Sequence, residues 1–418
     1  MREFDLAVIG GGPAGMAAAL AAKESGLERI VIFERDSVMG GILNQCIHNG
    51  FGLHTFQEEL TGPEYAERYF RKVQEAGIPY ETGTMVLDIT PDRQITVISR
   101  ERGVKTVQAA SVILAMGCRE RPRGTLGIAG FRPQGIYTAG TAQRLLNIDG
   151  VLPGKEAVIL GSGDIGLIMA RRMTLEGAHV SAVFELMPYC NGLNRNVVQC
   201  LEDYDIPLHL SHTVVEIHGK DKLEGVTVAA VENGKPVPGS EEYFPCDILL
   251  LSCGLIPENE LSRGCGIGIN PLTNGPVVDD RLETNIEGVF ACGNVLHIHD
   301  LVDYVSAEAA QAGRSAAAFV QGQRRDSGET HQIIPGDGVR YTVPCSFHRN
   351  SKEDTHLRFR VRSIYRDATI LISCGDQVIA KRKAPVLLPS EMQDITLKYP
   401  LLEQADADII VRIEGVTA

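Results

Sequence analysis

Apolar and glycine-rich stretches alternate along the chain in one order that occurs twice. Phe4 to Ile9 (FDLAVI) is a short run of strand-forming residues that leads through GGGPAG into MAAALAAKESG and then RIVIFE. This predicts strand, tight turn, helix, strand. Glu156 to Leu160 (EAVIL) leads in the same way through GSGDIG and LIMARRMTLEG to VSAVFE. Ala110 to Arg123 (ASVILAMGCRERPR) predicts a buried strand followed by Ala115-Met116-Gly117 and an Arg/Pro run. Thr284 to Val295 (TNIEGVFACGNV) predicts a strand ending in Gly293-Asn294, and YVSAEAAQAGRSAAAFV predicts a helix after it. Beyond a polar linker, GQRRDSGETHQIIPGDG, the pattern changes. LRFRVRSIY, ATILISC and ADIIVRIEG alternate or run as strands and predict a small sandwich of about 80 residues.

The two glycine turns carry the first chemistry. Gly10, Gly12 and Gly15 fall on the spacing that gives a tight turn, close approach of a pyrophosphate and close packing of helix on strand. The helix N-terminus then offers its partial positive charge to phosphate. Glu34 ends the second strand, nineteen residues after Gly15, a spacing suited to a carboxylate that accepts hydrogen bonds from a ribose. Gly161, Gly163 and Gly166 repeat the spacing, and Glu185 follows Gly166 by nineteen residues. A lone motif of this kind is often only a glycine-rich turn. Two complete units in one chain point to two dinucleotides. Glu185 would repel the 2′-phosphate of NADP, and Leu186, Met187 and Pro188 offer no arginine, which favours NAD.

Composition narrows the class. The 418 residues suffice for two or three domains, and the 44% hydrophobic and 22% charged residues are ordinary for a globular protein. A formal net charge of −13 argues against nucleic acid and anionic lipid as partners. No apolar run reaches membrane-spanning length, and a strand beginning at Phe4 leaves no room for a signal peptide, so a cytoplasmic location is expected. Ten cysteines without CxxC spacing argue against a disulfide framework and a cysteine-rich metal centre.

The Ala115-Met116-Gly117 and Gly293-Asn294-Val295 stretches resemble the two later flavin signatures of the two-dinucleotide-binding flavoproteins, the superfamily that includes thioredoxin and glutathione reductases. The resemblance covers about residues 1 to 330. It implies an α/β fold of two Rossmann-like domains, with an N-terminal unit that takes FAD and an inserted unit that takes NAD(P)H. The second signature usually ends in Gly-Asp; here Asn294 replaces the acid, keeping the hydrogen bond and losing the charge. The run RERPRGTLGIAGFRPQGIYTAGTAQRLLN is similar to the FAD/NAD subunits of opine oxidases, hydrogen cyanide synthase and heteromeric sarcosine oxidase. GGILNQCIHNGFGLHTFQEELTGPEYAERY and CGNVLHIHDLVDYVSAEAA are most similar to the flavoprotein associated with bacterial glycerol-3-phosphate dehydrogenase. The resemblance therefore implies an electron-transfer subunit beside a second flavoprotein; a homo-oligomer is a further possibility.

The expected organisation is an FAD domain in two parts, 1–120 and 254–330, an NAD domain at 121–253 and a C-terminal β domain at 338–418. Candidate FAD-binding positions are Gly10, Gly12, Pro13, Ala14, Gly15, Glu34, Arg35, Gly41, Val86, Ala115, Met116, Gly117, Gly293, Asn294 and Val295. Candidate NAD-binding positions are Gly161, Gly163, Asp164, Ile165, Gly166 and Glu185. Neither usual position of a redox cysteine pair is filled. Cys46 and His48, in MGGILNQCIHNGFG, are the candidate catalytic residues. Three readings stay open for them. Cys46 could be a redox thiol of lowered pKa, as in flavin-dependent peroxidases. His48 could donate a proton or polarise the flavin. Both could simply pack. Cys118 and Cys292 are remote partners without motif support. Of a second polar cluster, His297, His299, Asp300 and Asp303, Asp300 is expected to cap the following helix. With no third ligand visible beside the histidines, a metal site is not expected. Cys345 and Cys374, in the C-terminal region, are expected to be structural. Rival readings are a free-standing NADH oxidase or peroxidase using Cys46, and a flavin-holding subunit with a vestigial NAD site.

Overall fold

The computed structural model describes residues 3–323 and 329–417, so residues 324–328 of the polar linker lie outside it. The chain forms two compact units. One comprises residues 1–44, 49–118 and 257–418, the other residues 45–48 and 119–256.

In the first unit the strand Phe4–Ile9 lies between Ile30–Phe33 and Gly103–Leu114, all parallel, and Val289–Ala291 pairs in parallel on the far side of Gly103–Leu114. Unbroken apolar runs suit strands covered on both faces. The register sets Ile9 level with Phe33 and Leu114, and Leu114 level with Ala291. Gly10, Glu34, Ala115 and Cys292 therefore leave the sheet along one edge, the carboxyl edge where ligands bind in folds of this type. The N-terminal half of Gly103–Leu114 turns into an antiparallel meander with Gln94–Ser99 and Thr84–Ile89. The helix Pro13–Glu24, buried through nine consecutive small or apolar residues, crosses the helix Val302–Val320. At the crossing a side chain on Gly313 would put its Cβ 2.2 Å from the carbonyl oxygen of Ala18, so only hydrogen fits there.

The second unit is built on five parallel strands, in the order Ile136–Thr138, Ile248–Leu251, Glu156–Leu160, His179–Glu185 and Leu208–Leu210. Successive residues serve opposite faces. Ile159 and Leu250 join one buried cluster, while Leu160 and Leu251 join another. A mixed, mostly antiparallel sheet containing His212–His218 and Gly225–Glu232 completes this unit.

The C-terminal region, within the first unit, is a sandwich of a five-stranded and a three-stranded sheet. Its core holds Phe347, Leu357, Phe359, Ile370, Ile372 and Val411. One element departs from the sequence expectation. Thr330–Pro335, read as polar linker, is a strand paired on both sides, with Ser346–His348 and Ile409–Thr417. Its polar residues hide a single anchoring side chain, Ile333, which is buried. Cys374 packs in the sandwich and Cys345 is half-buried. Among the described residues no helix is long and apolar enough to cross a membrane.

Candidate functional site

The first glycine turn is shaped by contacts that exclude side chains. A Cβ on Gly15 would fall 1.8 Å from the carbonyl oxygen of Gly10, so the helix can sit this close only with glycine there. Gly12 is different, because its Cβ would meet nothing within 4 Å. It caps the helix with no side-chain hydrogen bond, and Pro13 takes the first turn. The first-turn amides therefore point at open space, as an anion requires. The Glu34 carboxylate accepts from the Gly11 N–H at 2.6 Å and from the Asp36 N–H at 2.7 Å, which fixes it beside the turn.

The structure brings the other segments to the same place. Gly40 N–H donates to the Gly11 carbonyl, and Gly41 approaches Gly12 so closely that its Cβ would lie 3.1 Å from the Gly12 Cα. Ala115 N–H donates to the Ile9 carbonyl at 2.9 Å, with Met116 and Gly117 following. Gly293 packs on Ala14, where a Cβ would come within 2.9 Å of the alanine methyl. Asn294 is held from both ends. Its Oδ1 accepts from His299 N–H at 3.1 Å and its Nδ2 donates to the Cys118 sulfur at 3.6 Å. Val295 and Val86 are buried core residues, and Arg35 is exposed.

The second turn is built alike. Gly163 caps the helix Asp164–Leu175 without a side-chain bond. Glu185 accepts from Ser162 N–H at 2.8 Å, from Ser162 Oγ at 2.6 Å and from Met187 N–H at 2.8 Å. Asp164 faces the following loop, accepting from Leu193 N–H and from Asn196 Nδ2. Asn191 N–H donates to Ser162 Oγ at 2.9 Å, so this loop folds back onto the turn. Gly161 and Gly166 border the turn, the latter donating its N–H to Ser252 Oγ, and Ile165 is half-buried. Ser162 was not singled out by sequence; its signal was its place inside the glycine motif. Each turn thus has a fixed carboxylate, as a dinucleotide's ribose needs. The first also has an open helix N-terminus suited to pyrophosphate, whereas at the second Ser252 Oγ takes the Gly166 N–H and would lie 3.1 Å from a Cβ on Gly163.

Cys46 lies in the segment Gln45–His48, which folds with the second unit. Gln45 Nε2 donates to the Gly140 carbonyl at 2.8 Å and to Gln143 Oε1 at 3.0 Å, and Asn147 Nδ2 donates to the Gln45 carbonyl. The Cys46 thiol sits 3.7 Å from Gln143 Oε1. Burial pushes this thiol up to about 12, opposite to the lowered value that a redox role asks for. His48 is half-buried. The helix Ala139–Asn147 carries no cysteine, and no cysteine of the chain is in a disulfide.

The His297–Asp303 cluster is divided three ways. His297 Nε2 and His299 Nε2 lie 2.8 and 3.3 Å from the same oxygen of Glu308, the third polar group that the sequence did not reveal. Arg358 Nη1 reaches that oxygen at 2.9 Å, so the carboxylate already has a cation beside it. Burial holds His297 down at about 4 and hence neutral. Asp303 accepts from Gly52 and Thr55 N–H groups. Asp300 does not cap the helix, which begins after Leu301 with no side-chain cap. It pairs instead with Arg360 and accepts from Met392 N–H at 2.7 Å. A guanidinium is a stronger partner than a helix amide, and only the tertiary fold brings it there.

Comparison with known proteins agrees with this architecture. The sequence pattern of the family described as pyridine nucleotide-disulphide oxidoreductase matches residues 4–317. The chain is 25% identical over 327 residues to a thioredoxin reductase of Listeria innocua, covering 77% of this chain and 95% of that one. It is 26% identical over 339 residues to an opine oxidase subunit of Agrobacterium tumefaciens, covering 75% of this chain and 64% of that one. The crystal structure of T. acidophilum thioredoxin reductase superposes with a TM-score of 0.63 at 25% identity, covering 76% of this chain and 99% of that one. With that family's pattern matched over three quarters of its length, the chain belongs to the pyridine nucleotide-disulphide oxidoreductase family and is an oxidoreductase that binds FAD and NAD(P)H.

Proposed function

We propose that the first unit holds FAD, that the second holds NAD, and that the chain serves as the NAD-linked electron-transfer subunit of a complex with a second flavoprotein, of the glycerol-3-phosphate dehydrogenase type. When bound, the two cofactors supply hydride transfer between nicotinamide and flavin. The protein's part is to bind and orient them. Gly12 and the first turn of Pro13–Glu24 would receive the FAD pyrophosphate, Glu34 its ribose, and Ala115–Gly117 with Gly293–Val295 the remaining edge. Gly163 and Glu185 would do the same for NAD. The carboxylate of Glu185, without a basic residue among Leu186, Met187 and Pro188, favours NAD over NADP.

The observation that carries the partner reading is the missing dithiol. The helix Ala139–Asn147 has no cysteine, and the thiol that meets it, Cys46, is buried and protonated. Electrons arriving at the flavin then meet no dithiol at either usual place, which favours their passage to or from another protein. The opine oxidase relative is itself named as one subunit of an enzyme. The same observation weakens the peroxidase reading, and the intact Ser162–Glu185 arrangement weakens the vestigial one.

Anaerobic titration with NADH, followed by flavin absorbance, tests the first half. Bleaching near one equivalent per flavin is expected. Two equivalents would mean a second redox centre, and no bleaching would remove the NAD assignment. For the second half, glycerol 3-phosphate-dependent reduction of NAD should need both this chain and the partner flavoprotein; full activity of either alone would refute the complex.

A further inference from the structure

The sandwich strand Thr355–Val361 has two faces of opposite character. Leu357, Phe359 and Val361 are fully buried in the sandwich core. Arg358 and Arg360 alternate with them and so project from the other face. That face is not in solvent. Arg358 is 3% exposed. Its Nη1 donates to Glu308 at 2.9 Å and its Nε to Asp394 at 3.0 Å. The other oxygen of Glu308 accepts from Gly293 N–H at 2.8 Å, the first residue of the Gly293–Val295 stretch. Arg360 pairs with Asp300 and donates to the Ile298 carbonyl at 3.2 Å and to the Ser390 carbonyl. The loop from Gly293 to Asp300 is thus tied to the sandwich at both ends, through Glu308 at the first and directly at the second.

Glu308 is fully buried, and burial opposes its charge. The two histidines and Arg358 nevertheless hold its carboxyl well below the usual range. A buried carboxylate of this kind is sustained by its partners and is costly to leave without one. The family pattern ends at residue 317, so both arginines come from outside it.

We propose that the C-terminal sandwich is a buttress for the flavin-binding loop, with Arg358 and Arg360 as positioning residues. Arg358 acts through Glu308 on the Gly293 amide, and Arg360 through Asp300 on the segment that leads into the helix Val302–Val320. The proposal rests on the assignment of FAD to the first unit. It gives the extension a role in the cofactor site itself, beyond that of a surface appendage.

The test measures the rate of FAD release from the full-length holoprotein at 25 °C, together with its thermal midpoint. Arg358→Met should release FAD at least tenfold faster than wild type, and Arg358→Lys should recover part of the loss. Lys381→Met, on the exposed face of the sandwich, should release at the wild-type rate. In a Glu308→Gln background, Arg358→Met should add little, because both changes break one chain of contacts. Full additivity, or a lower thermal midpoint with unchanged FAD release, overturns the buttress. If Arg358→Met does not fold, Arg358→Lys and Arg360→Lys are read on the same scale, and wild-type release from both overturns it. Gly12→Val separates this from the underlying assignment, since the added side chain meets no protein atom within 4 Å of its Cβ. FAD retained by Gly12→Val overturns the placement of FAD and the buttress with it. FAD lost from Gly12→Val but held normally by Arg358→Met overturns the buttress alone.

Discussion

Replacing Cys46 with Ser asks whether this thiol takes part in the chemistry. Burial raises the Cys46 thiol from an ordinary value of 9.0 to about 12. At pH 7 the thiolate is then about one molecule in 100,000, against about one in 100 for an unburied thiol, a deficit of about a thousandfold. Since the thiolate is the nucleophile, iodoacetamide should label Cys46 at least about a thousandfold more slowly than an exposed cysteine. The serine hydroxyl can still donate to Gln143 Oε1, so folding should change by no more than about 1 kcal/mol. The assay compares wild type and Cys46→Ser in NADH-dependent dye reduction and in peroxide-dependent NADH oxidation, with labelling followed on the Cys46 peptide. Equal dye reduction, no peroxide activity in either protein and labelling only on unfolding are expected. Peroxide turnover that vanishes in Cys46→Ser, or rapid labelling of the folded protein, would refute the reasoning.

Three further outcomes can be checked. Gly313→Ala should lower the thermal midpoint, because the new methyl must move about 1 Å from the Ala18 carbonyl and strain of this kind costs about 1–3 kcal/mol; a wild-type midpoint would show that the helices part freely. Burial and then Asp280 push the Asp279 carboxyl up to about 6, and the hydrogen bond to Asp280 raises His348. The folded state then holds more protons than the unfolded one, so stability should fall as pH rises from about 4 to 6 through Asp279, and His348's contribution, complete below its ordinary 6.5, should be lost above that. Asp279→Asn should flatten the first decline in denaturant melts, and an unchanged slope would refute the assignment. Glu185→Gln should reduce the preference for NADH over NADPH at least tenfold in kcat/KM, and an unchanged ratio would place the discrimination elsewhere.

The apolar runs of Phe4–Ile9 and Glu156–Leu160 and the glycine spacings after them were enough to read both strand-turn-helix units, because that information is local. Strand, turn and helix are contiguous, and Glu34 and Glu185 sit at a fixed distance along the chain from their glycines. The alternation in LRFRVRSIY likewise foretold a strand. Sequence could not say which way the arginines of that strand would face or what they would meet, since a row of charges ordinarily faces water. Arg358 and Arg360 met Glu308 and Asp300 only through tertiary packing, across 50 and 60 residues of chain. The same packing took Asp300 away from the helix end it was expected to cap. It also supplied Glu308 to His297 and His299, a partner eight or more residues along the chain that the local pattern does not reveal. For Cys46 the sequence left redox and packing roles open, because a thiol's acidity depends on its surroundings rather than its neighbours in the chain. Local pattern determined the two glycine turns and the carboxylate that follows each. Long-range packing decided which buried charges were compensated, which thiol stayed protonated, and what holds the loop at Gly293.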